Sequence, residues 1–121
     1  MKESIVLGKS MDFAVRIVNL YKHLCDEHKE YVMSKQVLRS GTSVGANIKE
    51  ALQGQSKADF TAKMSISLKE ISETEYWLEL LVKTNYLTQS EYESIQKDCS
   101  EVAKMLTTIV KSSRNNTAKK V

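Results

Sequence analysis

The longest helical pattern in this chain is residues 56–84, which read SKADFTAKMSISLKEISETEYWLELLVKT. Ser56 and Asp59 have the spacing of a capping box, in which two side chains satisfy free backbone amides at a helix start. The apolar residues behind them lie within about 80° of one another around a helix: Phe60, Met64, Leu68, Ile71, Leu78 and Val82. Asn85 is a suitable left-handed stop. The stretch therefore predicts one helix at residues 57–85, roughly 40 Å long.

Three further segments combine a helix-start signal with apolar residues at helical spacing. Ser10 is the expected N-cap of the first segment, in which Val15 and Val18 widen the apolar face. Ser34 is the expected N-cap of the second, and another capping box at residues 88–91 opens the last. The predicted helices cover approximately residues 10–28, 34–53, 57–85 and 89–112.

The short connections between these segments set the expected topology. Links of about two to six residues join antiparallel neighbours in helical bundles, and the absence of proline favours long helices. A chain of 121 residues has room for one domain. We therefore expect an all-α, antiparallel up-down-up-down four-helix bundle at residues 1–112, followed by a disordered basic tail at residues 113–121.

The sequence also bears on cellular location. No stretch approaches the roughly 20 apolar residues of a membrane span. The first nine residues lack the apolar region and the cleavage site of a signal peptide. These features predict a cytoplasmic protein, in which Cys25 and Cys99 are reduced thiols that behave as small apolar residues.

The second predicted helix carries small residues and a polar stripe. Gly41 and Gly45 lie mid-helix, where glycine costs about 1 kcal/mol relative to alanine, so a close approach of another backbone is the expected reason for them. The polar residues follow at steps of four, four and three: Arg39, Ser43, Asn47 and Glu50. Two interpretations stay open, an exposed stripe or a buried polar seam that fixes how helices or subunits dock.

The long third helix has a second apolar set beside its core stripe, made of Ile66, Trp77, Leu80 and Leu81. This set is either a wider internal face or a surface for another subunit. Trp77 and the neighbouring Tyr76 favour the second interpretation, because aromatic residues are enriched at interfaces. We expect self-association, with the interface at Ile66, Tyr76, Trp77 and Leu80.

No catalytic or metal-binding constellation is evident in the sequence. His23 and His28 are five residues apart, about 140° around a helix, whereas zinc sites need three or four converging ligands. Glu70 and Glu73 lack the histidine that a di-iron bundle places after the first glutamate. Phosphate-binding loops, dinucleotide fingerprints and nucleophile elbows are missing. We expect a non-enzyme without cofactor, metal or small-molecule substrate.

The net charge is +3, from 18 basic and 15 acidic residues, which alone is too small to indicate a nucleic-acid partner. The last eleven residues nevertheless contain four bases and no acid, a pattern that also fits a solvated chain end. The residues expected to contact phosphate are Lys35, Arg39, Lys49, Lys111, Arg114, Lys119 and Lys120.

Two runs, KQVLRS at residues 35–40 and TSVGANIKEA at residues 42–51, closely resemble the signature of four-helix bundle proteins encoded in ribosomal-RNA intervening sequences. The resemblance continues through Ser56, Asp59 and residues 69–78, and covers roughly residues 8–112. It implies a bacterial bundle that forms a ring-shaped homo-oligomer, with five subunits as the first expectation. It also assigns a shared structural or binding role to the family-motif positions Arg39, Ser43, Asn47, Glu50 and Asp59.

A more distant similarity is to the accessory protein of diversity-generating retroelements, a basic pentamer that engages a reverse transcriptase and nucleic acid. This chain is less basic. Two hypotheses follow. The first is a non-catalytic oligomeric scaffold or adaptor that binds structured RNA, or a nucleic-acid-bound protein, through its basic surface. The second is a protein–protein assembly module that binds no nucleic acid and uses its charge for solubility.

Overall fold

The structure is a computed structural model that describes residues 2–119, with side chains as far as residue 115. Within that range it contains four helices and no strand: α1 Lys2–Asp26, α2 Met33–Leu52, α3 Lys57–Lys83 and α4 Gln89–Lys119. The expected all-α four-helix bundle is confirmed. Each helix packs on the next in the chain and α4 packs on α1, whereas among the described residues no Cα atom of α1 lies within 8 Å of one in α3, or of α2 within 8 Å of one in α4. The helices therefore occupy the corners of a square, with α1 and α3 on one diagonal.

Each helix buries one stripe of apolar side chains in a shared core. On α3 the predicted core residues Met64, Ile71 and Leu78 are fully buried. Leu81, which the sequence grouped with the second apolar set, is also fully buried and belongs to this core. Burial of such a side chain stabilises the fold by about 1.5–3 kcal/mol. No described helix is long and apolar enough to cross a membrane.

The first helix begins at Lys2, and the prediction that Ser10 caps it at residue 10 is wrong. Val6 is completely buried, so the core stripe extends towards the N-terminus beyond the predicted start. Ser10 is buried inside the helix, where its hydroxyl donates to the carbonyl of Leu7 over 2.7 Å. A serine can thus be held inside a helix by bonding its own preceding turn.

The start of α2 is capped from outside the helix, so the prediction of Ser34 as its cap is also wrong. The Glu30 carboxylate accepts hydrogen bonds from the amides of Val32 and Met33 at 3.1 Å and of Ser34 at 2.7 Å. Because Glu30 satisfies three amides that a helix start leaves free, the Ser34 side chain is released for burial beside Cys25.

The start signals of α3 and α4 are confirmed. The Ser56 hydroxyl accepts from the Asp59 amide over 3.0 Å. In the second capping box the amide of Thr88 donates to the Glu91 carboxylate over 2.8 Å, and the amide of Glu91 donates to the Thr88 hydroxyl over 3.1 Å. Asn85 has a φ of 68°, as expected for a left-handed stop after α3.

The fourth helix continues past residue 112 to Lys119, in contrast to the disordered tail expected from residue 113. Ser113 is buried and shares a hydrogen bond with the Thr61 hydroxyl on α3. Arg114 also reaches α3, donating to the Ser65 hydroxyl over 3.2 Å. These contacts extend the packed face of α4 beyond its apolar stripe. The predicted end of the helix at residue 112 was therefore too early, because it was based on the apolar residues alone.

The two glycines of α2 make room for α1. A Cβ atom on Gly41 would lie 2.8 Å from Cγ1 of Ile17, and one on Gly45 would lie 3.0 Å from the Ser10 hydroxyl oxygen. Both distances are shorter than ordinary contacts, so a larger residue at either position would displace the α1 side chain packed against it. The expected reason for glycine is close approach of another backbone. It applies at Gly45, where the backbone carbon of Ser10 would lie 3.8 Å from the added Cβ, whereas Gly41 makes room for the Ile17 side chain.

Candidate functional site

The polar stripe of α2 runs along the surface beside α3. Arg39 and Glu50 are exposed, whereas Ser43 and Asn47 are half-buried. The Ser43 hydroxyl donates to the carbonyl of Arg39 over 2.6 Å, and the Asn47 amide donates to the carbonyl of Ser43 over 2.8 Å. The two central residues therefore bond their own helix, and the stripe is not a buried seam.

The two ends of that stripe reach across to α3 through ion pairs. Arg39 contacts Glu70 at 3.3 Å and also pairs with Glu73, while Glu50 lies 3.0 Å from Lys63. Asp59, the remaining motif residue, lies at the α2–α3 connection, where its Oδ2 would be 2.8 Å from a Cβ on Gly54. Of the motif positions, Arg39 and Glu50 therefore join the outer edge of α2 to α3.

Glu73 connects this edge to the aromatic residues of α3. Its carboxylate accepts a hydrogen bond from the Trp77 indole over 2.9 Å in addition to its pairing with Arg39. The Tyr76 ring meets the Trp77 ring edge to face, with centroids 5.1 Å apart. The Arg39 charge, the Glu73 charge and the indole therefore form one bonded group.

The outer face of α3 exposes the apolar side chains that the sequence assigned to an interface. Tyr76 is 58% exposed and Ile66 is 40% exposed. Trp77 and Leu80 beside them are half-buried. An exposed apolar set on one helix face is a candidate contact surface for another molecule.

The outer face of α1 carries a second exposed apolar stripe, which the sequence reasoning missed. Met11 is 60% exposed and Val15 is 53% exposed, and Val18 is half-buried beside them. The steps of four and three between these residues are a helical signal of their own. The valines were instead assigned to the core face. Because α1 and α3 are diagonal in the bundle, the two apolar stripes point in opposite directions.

The predicted phosphate-contacting residues are not gathered on one face. Lys49 and Lys111 are exposed near the same end of the bundle, but they lie on the diagonal helices α2 and α4. Lys35 is exposed at the other end, and Arg39 is already bound to two carboxylates. Because of these two ion pairs, Arg39 is a poorer phosphate ligand than the sequence predicts. Lys120 and the side chain of Lys119 lie outside the described residues.

The titratable groups of the described residues hold no metal-binding cluster of three or more ligands. The rings of His23 and His28 meet at 5.1 Å, because His28 lies beyond the end of α1 and is not on the helix as expected. His28 also contacts the Tyr86 ring at 5.7 Å, so the three rings close this end of the bundle.

Cys99 is buried in the core, and a groove between α1 and α4 holds an arginine that is bonded within the fold. Burial raises the pKa of the Cys99 thiol well above its ordinary range, so the reactive thiolate is disfavoured. A groove of about 460 Å³ lies between α1 and α4. Its arginine, Arg16, donates to Asp98 over 2.7 Å and to the Ser94 hydroxyl over 2.9 Å. These bonds join α1 to α4 and use the strongest cation of the groove.

Comparison with known proteins decides the family. Residues 2–108 match the family model described as 23S rRNA-intervening sequence protein. The chain belongs to this family. The match begins at the first residue of α1, so the N-terminal turns that the sequence placed before the helix are part of the family domain. No curated protein matches the chain.

A solved structure supports the same assignment. It is a crystal structure of a protein from the S23 ribosomal protein family of Bacteroides thetaiotaomicron, with a TM-score of 0.90 and 62% sequence identity. The alignment covers 92% of this chain and 99% of that one. The resemblance given by the residue runs of α2 and α3 is therefore confirmed.

Proposed function

We propose that this family member is a non-catalytic oligomeric scaffold or adaptor that binds structured RNA, or a protein–RNA complex, through its basic surface. The observation that carries the proposal is the division of the surface by helix. The outer faces of α1 and α3 expose apolar stripes, while those of α2 and α4 expose polar residues and lysines. With this division, α1 and α3 are suited to contact other subunits, and α2 and α4 are suited to contact a charged partner.

Self-association follows from the diagonal placement of the apolar stripes. Two different surfaces facing opposite directions suit head-to-tail contact, in which α1 of one copy meets α3 of the next. Repetition of such a contact gives a ring when the rotation closes. A pentamer is our first expectation for that ring, in the cytoplasm of a bacterial cell.

The RNA part of the proposal draws on the relatives and on charge. The family description names 23S rRNA, and that of the solved relative names a ribosomal protein family. Five copies of a chain with net charge +3 would concentrate about fifteen positive charges in one particle. Lys35, Lys49 and Lys111 are exposed and have no ion pair within the described residues.

The ion pairs of Arg39 favour a second candidate, a protein–protein assembly module without nucleic-acid binding. In that case the family motif serves to join α2 to α3, and the remaining charge serves solubility. This candidate predicts a stable oligomer that retains no RNA and shows no salt-dependent RNA affinity.

Native mass spectrometry of the protein purified at low salt separates the two. The proposal expects an integer multiple of 13.7 kDa, first of all five subunits, with bound RNA that added salt removes. A clean oligomer without RNA would favour the assembly module. A monomer would contradict the assignment of the α1 and α3 stripes as subunit contacts.

A further inference from the structure

The outer face of α4 carries a row of lysines that the function proposed above does not single out. Lys97, Lys104 and Lys111 are seven residues apart and are all exposed. Seven residues advance a helix by about 10.5 Å and change its facing direction by only about 20°. The three ammonium groups therefore stand in line along about half of the length of α4, and exposed Arg114 follows one turn later.

The acids on the same part of α4 are turned away from this row. Between residues 97 and 114 the helix has two acids, Asp98 and Glu101, against four bases. Asp98 pairs with Arg16 over 2.7 Å, and Glu101 pairs with Lys9, both on α1. Both carboxylates are thus compensated by another helix, while none of the three lysines has an ion pair within the described residues.

The residues around the lysine row are not suited to an apolar contact with another subunit. None of the exposed large apolar residues of the described chain belongs to α4. The apolar faces lie on α1 and α3, the two neighbours of α4 in the square. A head-to-tail contact through α1 and α3 therefore leaves the α4 corner uncovered in the assembly.

We infer that the outer face of α4, defined by Lys97, Lys104 and Lys111, is the surface on which the phosphate backbone of structured RNA docks. The inference rests on the proposed function and names the surface that performs it. Lysine binds phosphate as a point charge and carries no base information, so the contact should be strongly salt-dependent and weakly sequence-dependent. Arg39, bound to Glu70 and Glu73, has no part in it.

The test compares two triple variants with equal loss of charge. One is K97Q/K104Q/K111Q, and its matched control is K22Q/K29Q/K57Q, which removes three exposed lysines that lie outside the predicted phosphate contacts. Binding of a labelled RNA stem-loop is measured by fluorescence anisotropy at several salt concentrations. Size-exclusion chromatography checks that both variants keep the oligomeric state of the wild type.

We expect the α4 triple to bind the stem-loop about tenfold or more weakly than the control triple at low salt. The slope of log affinity against log salt should fall by about 2 to 3, since each lost phosphate contact accounts for about 0.7–0.9. Equal weakening of both triples, or greater weakening of the control, would be compatible with the proposed RNA-binding function but would overturn its assignment to α4. If the wild type does not bind the stem-loop, both the proposed function and this inference fail.

Polyglutamate serves as the competing anion. We expect it to displace the stem-loop poorly at equal charge concentration. Displacement as effective as that by unlabelled RNA would identify the α4 face as a surface for an acidic polypeptide and overturn the RNA assignment.

Discussion

Helix α2 and helix α4 both present exposed basic residues, but Arg39 of α2 and the lysines of α4 differ in what surrounds them. On α2, Gly41 admits a side chain of α1, and Arg39 is bound by two carboxylates of α3. On the outer face of α4, Lys104 and its neighbours meet no carboxylate within the described residues. A charge that is bound within the fold stabilises it, whereas an uncompensated charge is available to a ligand.

The largest expected effect is on the α1-facing side of α2. Gly41→Val should lower the free energy of unfolding by about 2 kcal/mol, since the new side chain would overlap Ile17. Chemical denaturation by urea measures the change. Ala46→Val on the exposed face of the same helix is the control, and should cost under about 1 kcal/mol because only helix propensity changes. An equal decrease in the free energy of unfolding of the two variants would show that the Ile17 side chain moves aside at little cost, and that α1 and α2 are not closely packed at Gly41.

The α3-facing side of α2 should show a smaller effect. Glu73→Ala removes the shared acceptor of Arg39 and of the Trp77 indole, and we expect a loss of about 1 kcal/mol in the free energy of unfolding. Glu93→Ala on α4 is the control, because Glu93 is exposed and has no ion pair within the described residues. Urea denaturation at low and high salt measures both. An unchanged stability in Glu73→Ala would mean that the α2–α3 edge is held by apolar packing alone.

The sequence predicted those features whose partners are close in the chain. The capping pairs of α3 and α4 are three residues apart, so the spacing alone identifies them. Ser10 is not a cap because α1 extends further towards the N-terminus, where Val6 is buried. Ser34 is not a cap because the Glu30 carboxylate accepts from the amides at the start of α2. The presence of a serine before an apolar stripe indicates neither arrangement.

The surroundings of the predicted surface residues depend on partners that are distant in the chain, and the sequence predicted them less well. The Arg39 side chain lies next to Glu70 and Glu73 only after α2 packs on α3, so its compensation depends on tertiary structure. The core prediction for Val15 is wrong because it rested on apolar character alone, whereas the position of Val15 lies about 160° around the helix from buried Phe13. The exposed set on α3 was found because it stood beside a complete core stripe.

The smallest expected effect concerns a carboxylate of α4 that is satisfied by backbone and not by a base. The amide of Thr88 donates to Glu91 and lowers the pKa of that carboxyl below its usual value near 4.5, although burial opposes the shift. A lowered pKa in the folded state contributes stability that is fully present above the unfolded value and is lost as the pH falls through the folded one. The stability difference between wild type and Glu91→Ala should therefore narrow as the pH falls below 4.5.

Thermal unfolding between neutral and acidic pH measures this difference in Glu91→Ala. Glu93→Ala, two residues further along the same helix, is the control. Glu93 lies on the outer face of α4 without an ion pair in the described chain, so its removal should change stability little at any pH. A pH-dependent loss at Glu93 as large as that at Glu91 would show that Glu93 compensates Lys97, four residues further along the helix. The first ammonium group of the row would then be less available to phosphate, and the contrast between α2 and α4 would be weaker.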